Sequence, residues 1–73
     1  IELFIEKNPP LRVTRPEAAG LRHLAFRVDD IISAVAELKE KGIETEEIRI
    51  DPQDGKRMTF FFDPDHLPLE IHE

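Results

Sequence analysis

One stretch of this chain repeats its apolar residues at helical spacing, and the other apolar stretches alternate. In the first, Ile31, Val35 and Leu38 recur with Ile32 beside them, and Glu37, Lys39, Glu40 and Lys41 form the wet side. Asp29-Asp30 precedes it and offers an N-cap; Gly42 follows and suits a helix stop. Around this helix the period is that of strands. Leu24, Phe26 and Val28 alternate with His23, Ala25 and Arg27 over Arg22 to Val28. Glu46 to Asp51 reads as a short strand with Ile48 and Ile50 inward, and Arg57 to Phe62 as a strongly apolar one. Pro68 to Glu73 sets Leu69 and Ile71 against Glu70 and His72. Asp51-Pro52-Gln53-Asp54-Gly55 and Asp63-Pro64-Asp65-His66 are the turns between them. Residues 21–73 thus read as an α+β unit of order βαβββ, with the helix stripe packed on the Leu24-Phe26-Val28 face.

A further alternating stretch stands before this unit. In Ile1 to Glu6, Ile1, Leu3 and Ile5 oppose Glu2, Phe4 and Glu6, the pattern of a half-buried strand. Residues 8–20 carry Pro9, Pro10 and Pro16 with no periodicity and read as a linker. Ile1-Glu2-Leu3 echoes Leu69-Glu70-Ile71. Residues 1–7 therefore read as the last strand of a preceding copy of the same unit, and the chain as a piece of a longer one.

Composition narrows the function classes. At 73 residues the chain makes one small domain at most, and domains this short bury only about 60% of their unfolded surface. The net charge of −6 argues against a nucleic-acid partner, which wants clustered Lys and Arg. No apolar run approaches the roughly 20 residues of a membrane span, and no targeting segment stands out. The absence of Cys fits a reducing compartment, so the expected location is cytoplasmic, and it removes thiolate metal sites.

Glu2, His23 and Glu70 all alternate away from the helix-packing faces of their strands. A curved sheet with a helix on its back has an open front, so these three side chains point into one concave surface. Imidazole and carboxylate together suit Zn²⁺, Ni²⁺, Mn²⁺ or Fe²⁺. By itself, a lone strand His is more often structural than a ligand, and a strand Glu is more often merely solvated.

The surrounding wording adds weight. Gly20-Leu21-Arg22-His23-Leu24-Ala25-Phe26, Val28-Asp29-Asp30-Ile31, Ala34-Val35 and Lys41-Gly42 resemble the second module of the vicinal oxygen chelate superfamily. So do Gly55-Lys56-Arg57-Met58-Thr59-Phe60-Phe61, Asp63-Pro64-Asp65 and Pro68-Leu69-Glu70-Ile71. That superfamily includes glyoxalase I, fosfomycin-resistance thiol transferases, bleomycin-resistance proteins and extradiol dioxygenases. The linker, with Asn8-Pro9-Pro10 and Arg15-Pro16-Glu17-Ala18, resembles a bacterial glyoxalase-like subgroup.

The resemblance implies two βαβββ modules forming a cup around one divalent metal, with a His and a Glu from each. His23 and Glu70 match the second-module ligands, and Glu2 matches the first-module Glu. The first-module His has no counterpart here. The implied function is that of the C-terminal half of a glyoxalase I-like lyase or isomerase acting on a thiol-conjugated or small oxygenated substrate. Glu2 and Glu70 would be the acid–base carboxylates and the metal the Lewis acid. The other classes are a metal-free, drug-sequestering binding protein and a thiol transferase or dioxygenase with two His and one Glu, which has no need of Glu2. The missing partner is the N-terminal module or a second copy of this chain in a homodimer.

Departures and secondary candidates complete the reading. His66 stands where the turn usually carries Gly, a modest strain if φ is positive. His72 stands where relatives often carry an aromatic; it shares a face with Glu70, which gives it a route into the site, but it reads first as a solvated strand end. Arg12, Arg15 and Lys56-Arg57 read as surface charges, with an anionic substrate as their other use. The Phe60-Phe61-Phe62 run must split between two faces, and which residue faces which way depends on register.

Overall fold

The computed structural model describes residues 1–73. Its elements are β1 (Leu24–Arg27), α1 (Ile31–Glu40), β2 (Arg49–Ile50), β3 (Arg57–Phe62) and β4 (Pro68–His72), the expected βαβββ order. They form one four-stranded sheet of order β1-β4-β3-β2. β1 runs parallel to β4, while β3 is antiparallel to both β4 and β2. The first and last strands of the unit are therefore neighbours. The crossover through α1 produces that pairing, because a parallel neighbour needs a long connection.

Both helix ends follow from local chemistry. The Asp30 carboxylate accepts from the Ile32 amide at 3.0 Å and from the Ser33 hydroxyl at 2.9 Å. These bonds, the Ser33 hydroxyl first and the Ile32 amide next, hold the Asp30 pKa below its ordinary value. At the other end Gly42 has φ 77°. Its amide donates to the Lys39 carbonyl at 3.0 Å, and the Ile43 amide donates to Leu38 at 2.9 Å. That pair of bonds is a Schellman closure, which needs a left-handed residue at Gly42.

Register settles the two faces. Ala25 pairs with Glu70, which pairs with Phe60 on its other side. Phe61 pairs with Leu69, and Leu24 pairs with Leu69. Phe60 and Phe62 thus share the front with Glu70, and Phe61 turns to the back. There Phe26, Ala34, Leu38, Phe61 and Ile71 border one cleft between α1 and the sheet. Ile31 and Thr59 are fully buried, and Met58 and Ile71 nearly so. Burying a side chain such as Ile31 contributes roughly 2–3 kcal/mol.

Two local expectations change. β2 shrinks from Glu46–Asp51 to Arg49–Ile50, and Ile50 is exposed rather than inward. A two-residue edge strand with one neighbour has little sheet to pack against. Ile1 to Glu6 makes no ladder, and Ile1, Leu3 and Ile5 are all at least nine-tenths exposed. A strand needs a partner for its backbone groups, and β1 to β4 offer this segment none.

Candidate functional site

His23 sits one residue before β1, and Glu70 lies in the middle of β4. Because β1 and β4 are paired in parallel, both side chains rise from the front face. His23 Nε2 and Glu70 Oε1 are 3.4 Å apart. Two donors held at about 2.1 Å on one tetrahedral ion are themselves about 3.4 Å apart. That separation is compatible with one shared divalent cation, as it is with a direct imidazole–carboxylate contact. Glu70 is 13% exposed at its side chain and His23 30%, so both are sheltered yet reachable.

Phe60 supports the pair from the next strand. Its ring meets the His23 ring edge-on, with centroids 5.1 Å apart and planes at 84°. This contact limits how the imidazole can turn. Beyond it, the Arg49 guanidinium lies 5.2 Å from the Phe60 centroid. The front thus carries a row from His23 through Phe60 to Arg49.

The expected candidates separate into groups. His23 and Glu70 are brought together. Glu2 lies on the exposed leading segment, apart from them. Arg12 is engaged in structure: its Nη2 donates to the Leu21 and Arg22 carbonyls at 3.0 and 2.7 Å, tying the linker down just before His23. Arg57 belongs to the back, where it pairs with Glu73. Arg15 borders a front cleft with Phe60 and Phe62.

His72 is not a solvated strand end. Its Nε2 stands 3.2 Å from Asp51 Oδ2 and 3.2 Å from Asp54 Oδ2, and the ring is 18% exposed. The Gln53 amide and then this imidazole hold the Asp51 pKa below its ordinary value. The signal for this cluster was present in the sequence, since the turn after β2 and the end of β4 both flank β3. What was lacking was the register that brings Met58 opposite both Arg49 and His72.

The model of the Glyoxalase/Bleomycin resistance protein/Dioxygenase superfamily matches residues 1–71. The chain belongs to that superfamily. It is 70% identical over 73 residues to the uncharacterized protein YwkD of Bacillus subtilis (strain 168), covering all of this chain and 57% of that protein. A glyoxalase family protein from Enterococcus faecalis superposes with a TM-score of 0.88 at 61% identity, over 90% of this chain and 52% of that one. A lactoylglutathione lyase from Agrobacterium tumefaciens superposes with a TM-score of 0.54 at 25% identity, over 97% of this chain and 52% of that one. The chain thus spans about half the length of the relatives it matches. No helix is long and apolar enough to cross a membrane.

Proposed function

We propose that this chain is the C-terminal half of a divalent-metal-dependent enzyme of the glyoxalase I kind. The observation that carries the reading is the 3.4 Å approach of His23 Nε2 to Glu70 Oε1 on the helix-free face. In this reading His23 and Glu70 are two ligands of one Zn, Ni, Mn or Fe ion. Residues 1–7 are the last strand of the first module, residues 8–20 the linker, and Glu2 brings a third ligand once that strand is paired. A His from the other module is the fourth. The cover is the N-terminal module or, failing that, a second copy of the chain.

The bound ion would supply Lewis-acid stabilisation of negative charge developing on substrate oxygen. The chain's own residues do the rest. His23 offers its Nε2 as a donor, and Phe60 keeps its ring in place. Glu70, sheltered on the sheet face, takes a proton from a substrate carbon at a carboxylate oxygen and returns it to the neighbouring carbon; Glu2 is the matching carboxylate from the opposite side. The substrate class is a thiol conjugate or another small molecule with adjacent oxygens.

Metal analysis of the full-length protein tests this reading. Wild type should carry about one divalent ion per chain, and His23→Ala and Glu70→Gln should each lose most of it, since few protein donors hold such a site. Folding of both variants is checked by circular dichroism. Metal content unchanged in both variants overturns the assignment of these two ligands; no metal in wild type overturns the metal reading and leaves a metal-free binding protein.

A further inference from the structure

Beside the His23–Glu70 pair lies a front cleft bordered by Arg15, Glu46, Arg49, Phe60, Phe62 and Pro68. Its volume is about 410 Å³, within the roughly 300–1,000 Å³ of small-molecule sites. We propose that this cleft binds an amphipathic anion, with a carboxylate at Arg49 and an apolar body across Phe60 and Phe62. The proposal rests on the reading above for where the reacting end lies, and it adds the substrate's chemical class.

Three observations converge. The first is the floor. Phe60 and Phe62 both face front, pairing with Glu70 and Pro68, so the β3 alternation lays an apolar strip beside the acid–base residue. Phe62 is 42% exposed, leaving part of its ring open to the cleft.

The second is the cation. The Arg49 guanidinium rests near the Phe60 ring at 5.2 Å from its centroid. A guanidinium over a ring keeps its in-plane N–H edges free for a bidentate acceptor. Its ion pair within the chain is one long contact, Nη1 to Glu46 Oε1 at 3.4 Å between half-exposed groups. An exposed pair of that kind is weak and yields to a better-placed carboxylate. Arg15 stands across the same cleft, while Glu17, the other acid lining it, is bound to Arg22.

The third is direction. Phe60 touches the Arg49 guanidinium with its face and the His23 ring in a T-shaped contact. A ligand anchored at Arg49 and lying along Phe60 therefore extends toward His23 and Glu70. The anchor would fix which carbon meets the Glu70 carboxylate, which is how binding energy remote from the chemistry orients a substrate.

The test uses the full-length protein and a matched pair of probes, 4-phenylbutyrate and its neutral amide. Binding is followed by NMR through the Phe60, Phe62 and Arg49 resonances, with and without a chelator. The carboxylate should bind about tenfold tighter than the amide in both conditions, as expected for one charge-assisted bidentate contact. Arg49→Gln should remove that preference, leave amide binding in place, and keep the metal content of wild type. Equal binding of the two probes, no binding of either, or a preference that survives Arg49→Gln overturns the proposal. A preference abolished by the chelator also overturns it, because the carboxylate is then ligating metal. Loss of the metal reading alone, with the Arg49-dependent preference intact under chelator, would leave this site standing as a binding site without that chemistry.

Discussion

Glu73 receives the Arg57 guanidinium in two hydrogen bonds of 2.7 and 2.6 Å, and its Oε2 also accepts the Ile31 amide at 3.0 Å. One carboxylate thus joins β3, the end of β4 and the first turn of α1. Its negative charge faces the helix N-terminus, where unpaired N–H groups favour an anion.

This junction gives the fold an acid limit. Arg57 first, then the Ile31 amide, lower the Glu73 pKa from 4.5 to about 2. A depressed carboxylate stabilises the folded state above its unfolded pKa, and that contribution fades as pH falls toward the folded value. Between pH 4.5 and about 2 the stability of the wild type should therefore decline. Glu73→Gln should flatten this part of the profile while lowering stability at neutral pH. Urea melts of both proteins across that range check it; parallel profiles would remove Glu73 as the cause.

Much of the module was legible because its signals are local. Asp30, the Ile31-Val35-Leu38 stripe and Gly42 announce α1, and β3 begins and ends where its apolar run does. His23 and Glu70 were legible as a pair because alternation fixes which face each occupies once the helix side is known. Other features depend on partners. Ile1 to Glu6 has the pattern of a strand, yet a pattern cannot supply the neighbour that makes a ladder. The Phe60-Phe61-Phe62 run and the His72 cluster needed the β3–β4 register, which no single stretch of sequence contains.

His66 offers a direct measure of local strain. It has φ 67°, and its amide donates to the Asp63 carbonyl at 3.0 Å within the turn before β4. The Asp63 carboxylate also accepts from the Asp65 and Leu67 amides, each at 2.8 Å, so the turn is held in this form. A side chain in the left-handed region costs about 1–2 kcal/mol, part of which Gly returns through its freer unfolded state. His66→Gly should stabilise the protein by roughly 0.5–1 kcal/mol. Thermal melts should move up by a few degrees, with metal content unaffected; an unchanged or lower midpoint would show that the turn carries no such strain.

Thr59 should be the residue that holds the β2 edge. It is fully buried, and its hydroxyl donates to the Glu46 carbonyl at 2.8 Å. The Glu46 amide in turn donates to the Phe60 carbonyl at 2.8 Å. Thr59→Val keeps the shape but leaves the Glu46 oxygen short of a partner, at a cost of roughly 1–3 kcal/mol. Because β2 is only Arg49–Ile50, the loss should be felt there first. Hydrogen exchange should speed up at Glu46 and Arg49 more than at β4. Uniform acceleration across the sheet would mean that Thr59 supports the whole core instead.

The leading segment supplies the last expectation. Ile1, Leu3 and Ile5 alternate and are 96%, 90% and 100% exposed, with no ladder to β1–β4. A contiguous apolar row of this kind marks a surface awaiting cover. If residues 1–7 close the first module, their backbone groups pair with strands of that module, and Glu2 turns toward the same front space as His23 and Glu70. In the full-length protein the amides of residues 2–6 should then exchange slowly, on the scale of β3 rather than of the linker. Glu2→Gln should lower metal content in step with Glu70→Gln, because both would leave the ion one carboxylate short. Protected amides with metal content insensitive to Glu2→Gln would keep the strand and remove Glu2 from the ligand set. Amides exchanging at unstructured rates would end both assignments, since an unpaired segment could neither bury that apolar row nor hold a carboxylate in place.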